Sequence, residues 1–446
     1  MKMITWGALA LAVSASPIHY ASAAPFVSDQ ADSKGFVDDS KFDVLVRSYY
    51  FNRNKKDGAV DNKDWTGALQ GVFSSGFTQG TVGFGIDAFG YMGLKLDGQD
   101  KYAGSGNLTT TTNSLGKVDG NHDSYGKSGA ALKVRVSKTQ LEVGDMQPST
   151  SPVFAVGGTR ITPQTASGIS LMSSEVSGLD LQAGHFYSST SQDRTNRDGK
   201  LWATYAGVSA NSVDFAGGQY AITDQLSASL YTSRLEDIWD QYYGNINYTL
   251  PLADRQALNV DINYYRTVDE GRANAGVIDN NTYSLALAYS FLSAHKLTLA
   301  FQKVNGDTPF DYIGVGDNNR GSNSMFLSNS IQYSDFNGPG EKSWQLRYDL
   351  NMASYGVPGL SFMSRYATGS DIDGSHTPAN SPYAGLYGPD DRHHETNLEA
   401  KYVVQSGPAK DLSIRLRQAW HRATSTQIDG NADEFRLIID YPLSIL

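Results

Sequence analysis

The stretch "DLSIRLRQAWHRA", Asp411 to Ala423, sets two arginines two positions apart among aliphatic side chains. In an extended chain successive side chains point to opposite faces, so Leu412, Ile414, Leu416 and Trp420 share one side. Ser413, Arg415, Arg417 and His421 share the other. Two guanidinium groups on one face repel each other unless something anionic sits between them. A guanidinium presents paired planar donors that match a carboxylate, so the chemistry on offer is the desolvation and handing-on of an anion. The wall itself also holds acids: Glu399, Glu434, Asp349 and Asp440 fall on faces of the same parity. Any one arginine could therefore be paired inside the protein instead. The other dense group of reactive residues is "DDRHHE", Asp390 to Glu395. It lacks the HExxH spacing of a zinc hydrolase, and the chain has neither GxSxG nor a nucleotide-binding glycine pattern. No catalytic residue, cofactor or metal site is expected, and the protein is not expected to be an enzyme.

The arginines need strands to carry them, and two-residue alternation runs through the whole chain in segments of about ten residues, the length of a tilted membrane strand. In "LNVDINYY", Leu258, Val260, Ile262 and Tyr264 oppose Asn259, Asp261 and Asn263. In "KLTLAFQ", Leu297, Leu299 and Phe301 oppose Thr298, Ala300 and Gln302, and "WQLRYDL" sets Trp344, Leu346, Tyr348 and Leu350 against Gln345, Arg347 and Asp349. None of these apolar rows carries a charge. A lysine or arginine facing mid-bilayer lipid costs about 2 to 4 kcal/mol, whereas the wet side of a soluble sheet tolerates a charge. The rows therefore predict contact with hydrocarbon. Aromatic residues at their ends, Tyr283, Trp344, Trp420 and Tyr441, suit the two interfaces.

Connections differ in kind, as in outer-membrane barrels and unlike a soluble β-sandwich. "YSFLSAHK" and "VPG" at Val357 to Gly359 are tight, whereas Gly98 to Tyr125, Gly306 to Asn323 and Gly369 to His394 are long and polar. The expectation is an all-β fold, a transmembrane antiparallel β-barrel of about eighteen strands with an open lumen. Met1 to Ala23 reads as a secretory signal peptide, with an early lysine, a short apolar run, and Ala21 and Ala23 before the cut. That leaves residues 24–446 as one barrel domain. Absence of cysteine removes disulfides and thiolate metal sites. The net charge of −10, one unit more acidic without Lys2, disfavours nucleic acid as a partner.

Two loops look unlike the others. Glu142 to Gly168 carries the apolar run Pro152 to Val156 and one base, Arg160, which suits folding into the lumen; packing over its own side chains at the surface is the alternative. Asn305 to Asn323 brings Asp307, Asp311 and Asp317, without the ligand spacing or terminal glutamate of a calcium loop. These acids are candidates for the narrowest part of the channel.

The strings "SGFTQGTVGFGIDAFGYMGLKLDG", "PFDYIGVG", "QYSDFNGPGEKSWQLRYDLNMASYGVPGL" and "HHETNLEAKYVVQSGPAKDLSIRLRQAWHRA" resemble the OprD-type specific porins, the outer-membrane carboxylate channels of pseudomonads. The resemblance covers about Phe26 to Leu446. It implies an eighteen-stranded barrel, inward-folded constriction loops, and a ladder of basic wall residues that conducts carboxylate-bearing solutes. By matching motifs the ladder takes in Arg47 of "LVRSYYF", Lys401 of "EAKYVV", Arg415 and Arg417 of "IRLRQAW", and Arg436 of "EFRLII". Arg160 of "GGTRITPQT" would be its loop member, Tyr205 of "WATYAG" a constriction residue, and Asp311 of "PFDYIG", with neighbouring acids, the opposing side. Gly98 to Lys127 and Gly369 to Arg392 depart from the family pattern. Members closest in these motifs take up basic amino acids and small peptides and pass carbapenem antibiotics; others prefer aromatic or aliphatic acids. The implied partners are small carboxylate solutes, with outer-membrane lipid and lipopolysaccharide around a monomer or weak trimer.

Overall fold

The computed structural model describes residues 25–252 and 255–446, so the expected signal peptide, Met1 to Ala23, lies outside the described residues. Among the described residues, eighteen strands form one antiparallel sheet. The first, Lys41–Lys55, pairs with the second, Asn62–Ser74, and also with the last, Ala432–Ser444. That second pairing closes the sheet on itself, which removes both edges and leaves no strand with unpaired backbone facing lipid.

Alternation decides which way each side chain points. Leu299, Leu346, Leu398 and Leu416 are exposed on the outside, while their neighbours Ala300, Gln345 and Asn397 are buried within. The outward rows match the apolar rows of the sequence, Tyr283, Trp344 and Trp420 among them. No helix among the described residues is long and apolar enough to cross a membrane, so the spanning work falls to the strands.

Connections segregate by end. On one side, with the start of the first strand and the end of the last, the turns are short, for example residues 137–138, 177–178 and 292–294. On the other lie the long connections 98–123, 147–164, 191–212, 306–341 and 373–390. Several of these go inward. Residues 147–164 bury Val153, Phe154, Val156 and Ile161 completely or nearly so. The Tyr265 hydroxyl, on the strand Ala257–Asp269, donates to Pro152 O at 3.0 Å, while Gln70 Nε2 on the second strand donates to Ile161 O at 2.6 Å. Those strands stand on opposite sides of the barrel, so this loop crosses the lumen. Segments Leu201–Ala203 and Val208–Ala210 join Ile313–Val315 and Arg320–Gly321 in a small sheet that ties connection 191–212 to 306–341.

One expectation changes. The long polar connection after Asp97 is not wholly external, because Ser105, Asn107 and Leu108 are buried inside. Wall residue Asp64 draws it in, accepting from Asn107 Nδ2 at 2.8 Å and from the Ser105 hydroxyl.

Candidate functional site

The lumen has two unlike halves. Where the wall is built from strands between Thr165–Val176 and His295–Asn305, it is aromatic. Phe186, Phe215, Tyr231, Tyr243 and Tyr265 pack against Phe154 and Phe310 of the inward loops in one continuous core. This half is filled. The strands from Lys342–Asn351 round to Lys41–Lys55 carry charge instead.

Adjacent strands set the basic side chains of that arc side by side. Arg347 faces Arg365, Lys401 faces Arg415, and Arg417 faces Arg436 across their strand pairs. Alternation explains why they line up: each lies on the inward parity of its own strand, so the register stacks like beside like. Arg365 and Arg347 were legible by that parity, in "SRYATG" and "WQLRYDL", yet sequence reasoning did not place them with the others. Arg53 belongs to the group as well, stacked 4.8 Å over the Tyr333 ring.

Pairing differs from one member to the next. Arg47 is held by Asp440 through Nε at 2.7 Å and the terminal nitrogen at 2.9 Å, and also donates to Arg160 O at 2.6 Å. It anchors the crossing loop as much as it lines the wall. Arg436 and Arg53 both close on Glu434, at 2.5 and 2.6 Å. Arg436 also donates to Gln332 O of connection 306–341, at 3.2 Å.

Arg415 and Arg417 correct the expectation that two adjacent cations need a visiting anion. Glu399 of the neighbouring strand reaches both, at 2.8 and 3.1 Å. One carboxylate for two guanidiniums leaves a positive charge over, and neither Nε makes a directed hydrogen bond despite the short distances. Arg365 has a neutral partner, Asn397 Oδ1 at 2.8 Å, and Lys401 has no hydrogen-bond or ion-pair partner among the described residues.

Arg160 comes to this arc from the crossing loop. Its Nε donates to Ser105 O at 2.9 Å and its guanidinium sits 4.9 Å above the Phe51 ring. Burial, and then the positive charge of Arg436, pull its pKa down to about 10, so it stays cationic at neutral pH. Basic groups thus outnumber acids along this arc.

The acids expected opposite are not brought together. Asp311 is buried, and its carboxylate is fully engaged. It accepts from the backbone N–H groups of Tyr205, Ala206 and Tyr312 at 3.0, 3.1 and 2.7 Å, and from the Tyr383 hydroxyl at 3.0 Å. Burial pushes this carboxyl up to about 6 against those donors. Asp311 is a fastener for three loops, not a free charge over the channel. Asp307 and Asp317 are exposed among the outer connections, the first beside Thr377 and the second accepting from Asn196. The acid that meets Tyr205 is Asp335, which takes its hydroxyl at 2.9 Å and that of Tyr312 at 3.3 Å. Sequence reasoning passed over Asp335 because nothing local to "QYSDFNG" shows which side chains converge on it.

Replacing Asp311 by alanine is expected to leave three N–H groups and a phenol without an acceptor, at about 1 to 3 kcal/mol for each group that water cannot reach. Current through single channels in a planar bilayer should become noisier as the loops loosen. Steady current indistinguishable from the parent would remove Asp311 from this role.

A protein-family model described as "outer membrane porin, OprD family" matches residues 34–445. The chain is 61% identical to Porin D of Pseudomonas aeruginosa over the full length of both. A crystal structure of Pseudomonas aeruginosa OprD is similar at 58% identity with a TM-score of 0.83, covering 95% of this chain and all of that one. The structure of Pseudomonas aeruginosa OpdK with vanillate aligns at 32% identity and a TM-score of 0.80, covering 92% of this chain and all of that one.

Proposed function

This chain belongs to the OprD family of outer-membrane porins, and from that premise we propose that it admits small solutes by their carboxylate groups, basic amino acids and small peptides foremost. The observation that carries the proposal is the unbalanced basic arc: Arg415 and Arg417 share one carboxylate, and Arg365 and Lys401 form no direct ion pair among the described residues.

A carboxylate that enters a narrow passage sheds part of its hydration. Guanidinium donors at Arg415, Arg417 and Arg160 take the place of that water, each bond charge-assisted. Because Glu399 already holds part of each Arg415 and Arg417 charge, no single stop binds tightly. Several moderate sites in series favour entry and still allow exit, which is the condition for conduction. A zwitterion or basic amino acid would turn its ammonium toward the half of the passage where Asp335 stands, and its carboxylate toward the arginines. Arg47, Arg436 and Tyr205 position loops and wall in this scheme, and Lys401 offers a further step.

Carbapenem antibiotics carry a carboxylate on a compact ring system and fit the same scheme. A second reading, entry of aromatic acids, draws on the vanillate-bound OpdK, since vanillate is an aromatic carboxylate. Swelling of liposomes containing the protein separates the two. Arginine is expected to enter fastest among arginine, benzoate, gluconate and succinate. Faster benzoate would favour the aromatic-acid channel, and a neutral sugar of equal size entering as fast as arginine would remove carboxylate selection.

A further inference from the structure

Beneath the outer loops, at the outer end of the charged arc, two buried histidines touch. His393 lies near the start of the strand Asp391–Val403 and His421 near the end of Ser413–Ala423, diagonal neighbours across one strand pair. Their exposures are 2% and 0%. Nδ1 of His393 stands 2.9 Å from Nε2 of His421, and the rings meet nearly at right angles. Asp429, from connection 424–431, brings a carboxylate oxygen so that the three candidate ligand atoms lie within 4.8 Å of one another.

The outer side of each ring is already committed. His421 Nδ1 is 2.7 Å from Gly430 O, a pure acceptor, so that nitrogen carries the proton and Nε2 keeps its lone pair. His393 Nε2 is 2.7 Å from Glu341 Oε1, which is buried with it and takes that N–H. What remains are two nitrogens facing each other with room for a single proton between them, the Ser334 hydroxyl and Gln427 Nε2 standing farther off at 3.4 Å from the His393 nitrogen. Asp429 is oriented in turn by the Ser334 hydroxyl at 2.6 Å and by Gln427 Nε2 at 3.1 Å. A carboxylate behind one imidazole and a carbonyl behind the other is how proteins fix the tautomers of metal-binding histidines.

We propose that His393, His421 and Asp429 form a binding site for a borderline divalent cation of the zinc class. Two imidazoles and one carboxylate select such ions over calcium or magnesium, which prefer all-oxygen shells. Tetrahedral zinc at about 2.0–2.1 Å from each nitrogen needs the nitrogens about 3.3 Å apart, so the rings part by about 0.4 Å as the ion enters. One proton, that between the rings, leaves in exchange; His393 keeps its N–H to Glu341, and water completes the shell. The cation would cross-link connection 424–431 to two wall strands. Through Glu341 and Ser334 it would also stiffen connection 306–341, the segment that reaches Arg436. Conduction would thereby respond to the metal content of the medium, whatever solute the channel prefers.

The test uses the full chain without a polyhistidine tag, stripped with chelator in detergent and titrated with zinc chloride by calorimetry. One equivalent of zinc should bind at micromolar concentration. Asp429→Asn, which keeps shape and an acceptor for Ser334, and His421→Ala should each weaken that equivalent at least about tenfold. Glu341→Gln should weaken it about tenfold through His393 alone. Heat-modifiable gel migration reports that each variant is a folded barrel. In a planar bilayer, zinc should quieten the current of the parent and leave Asp429→Asn unchanged. No zinc bound by the parent, equal affinity in the folded variants, or equal binding of magnesium would each overturn the site.

Discussion

Replacing Arg415 and Arg417 together by alanine is expected to lower the flux of a carboxylate solute by about tenfold or more, as two charge-assisted contacts of about 1.5 to 3 kcal/mol are lost from its path. The double variant does more than remove two cations. Glu399 holds both guanidiniums at present, and without them its own charge faces the passage. The wall then repels the anion it formerly attracted. Adding Glu399→Gln to the double variant should restore part of the flux by making this stretch neutral. Glu399→Gln alone should do the reverse of the double variant, freeing both arginines and lengthening the current blocks a carboxylate produces. Swelling rates and single-channel blocks measure these. Carboxylate flux in the double variant equal to that of the parent would remove Arg415 and Arg417 from conduction.

The second large effect concerns the barrel itself. Glu434 is fully buried between Arg53 and Arg436 and accepts from Gln332 as well. Glu434→Ala leaves two guanidiniums close together without a counter-charge, beside Arg417 and Arg160. Breaking such a pair from one side costs about 3–5 kcal/mol, because the remaining charge is still desolvated. The expected outcome is a lower denaturation midpoint in urea and loss of heat-modifiable migration at a lower temperature. Arg53→Met with Arg436→Met in the same background should recover much of that loss, since the cost lies in the unpaired charges. A Glu434→Ala barrel as resistant as the parent, or no recovery in the combined variant, would show that the triad does not hold this wall.

The wall was legible from sequence because lipid imposes one rule on every strand. A charge on the wrong face is costly anywhere in the span, so the period-two rows at Leu297 to Phe301 or Trp344 to Leu350 could be read strand by strand. The inward turn of residues 147–164 was legible too, since Val153, Phe154 and Val156 have no use above a membrane. Pairing was not. Whether Arg417 answers to a solute or to Glu399 depends on the register of two strands, and Asp311 is met by residues more than a hundred positions away. Alternation fixes the face of a side chain and is silent on its neighbour. The same limit hid the histidine pair. "DDRHHE" holds both His393 and His394, but only His393 points inward, and its counterpart comes from the next strand. Residues 103–108 sit in a polar stretch that reads as surface, yet Asp64, Asn62, Tyr125 and Arg160, scattered along the sequence, hold them inside.

The packed aromatic core ties the inward loops to one side of the barrel and leaves the charged wall on the other. Substitutions at Arg415, Arg417 or Lys401, which make no hydrogen bond to an inward loop among the described residues, can then accumulate without disturbing the plug, whereas Arg47 and Arg436 fasten it. At those positions the charge of the wall can change while the scaffold is inherited nearly intact.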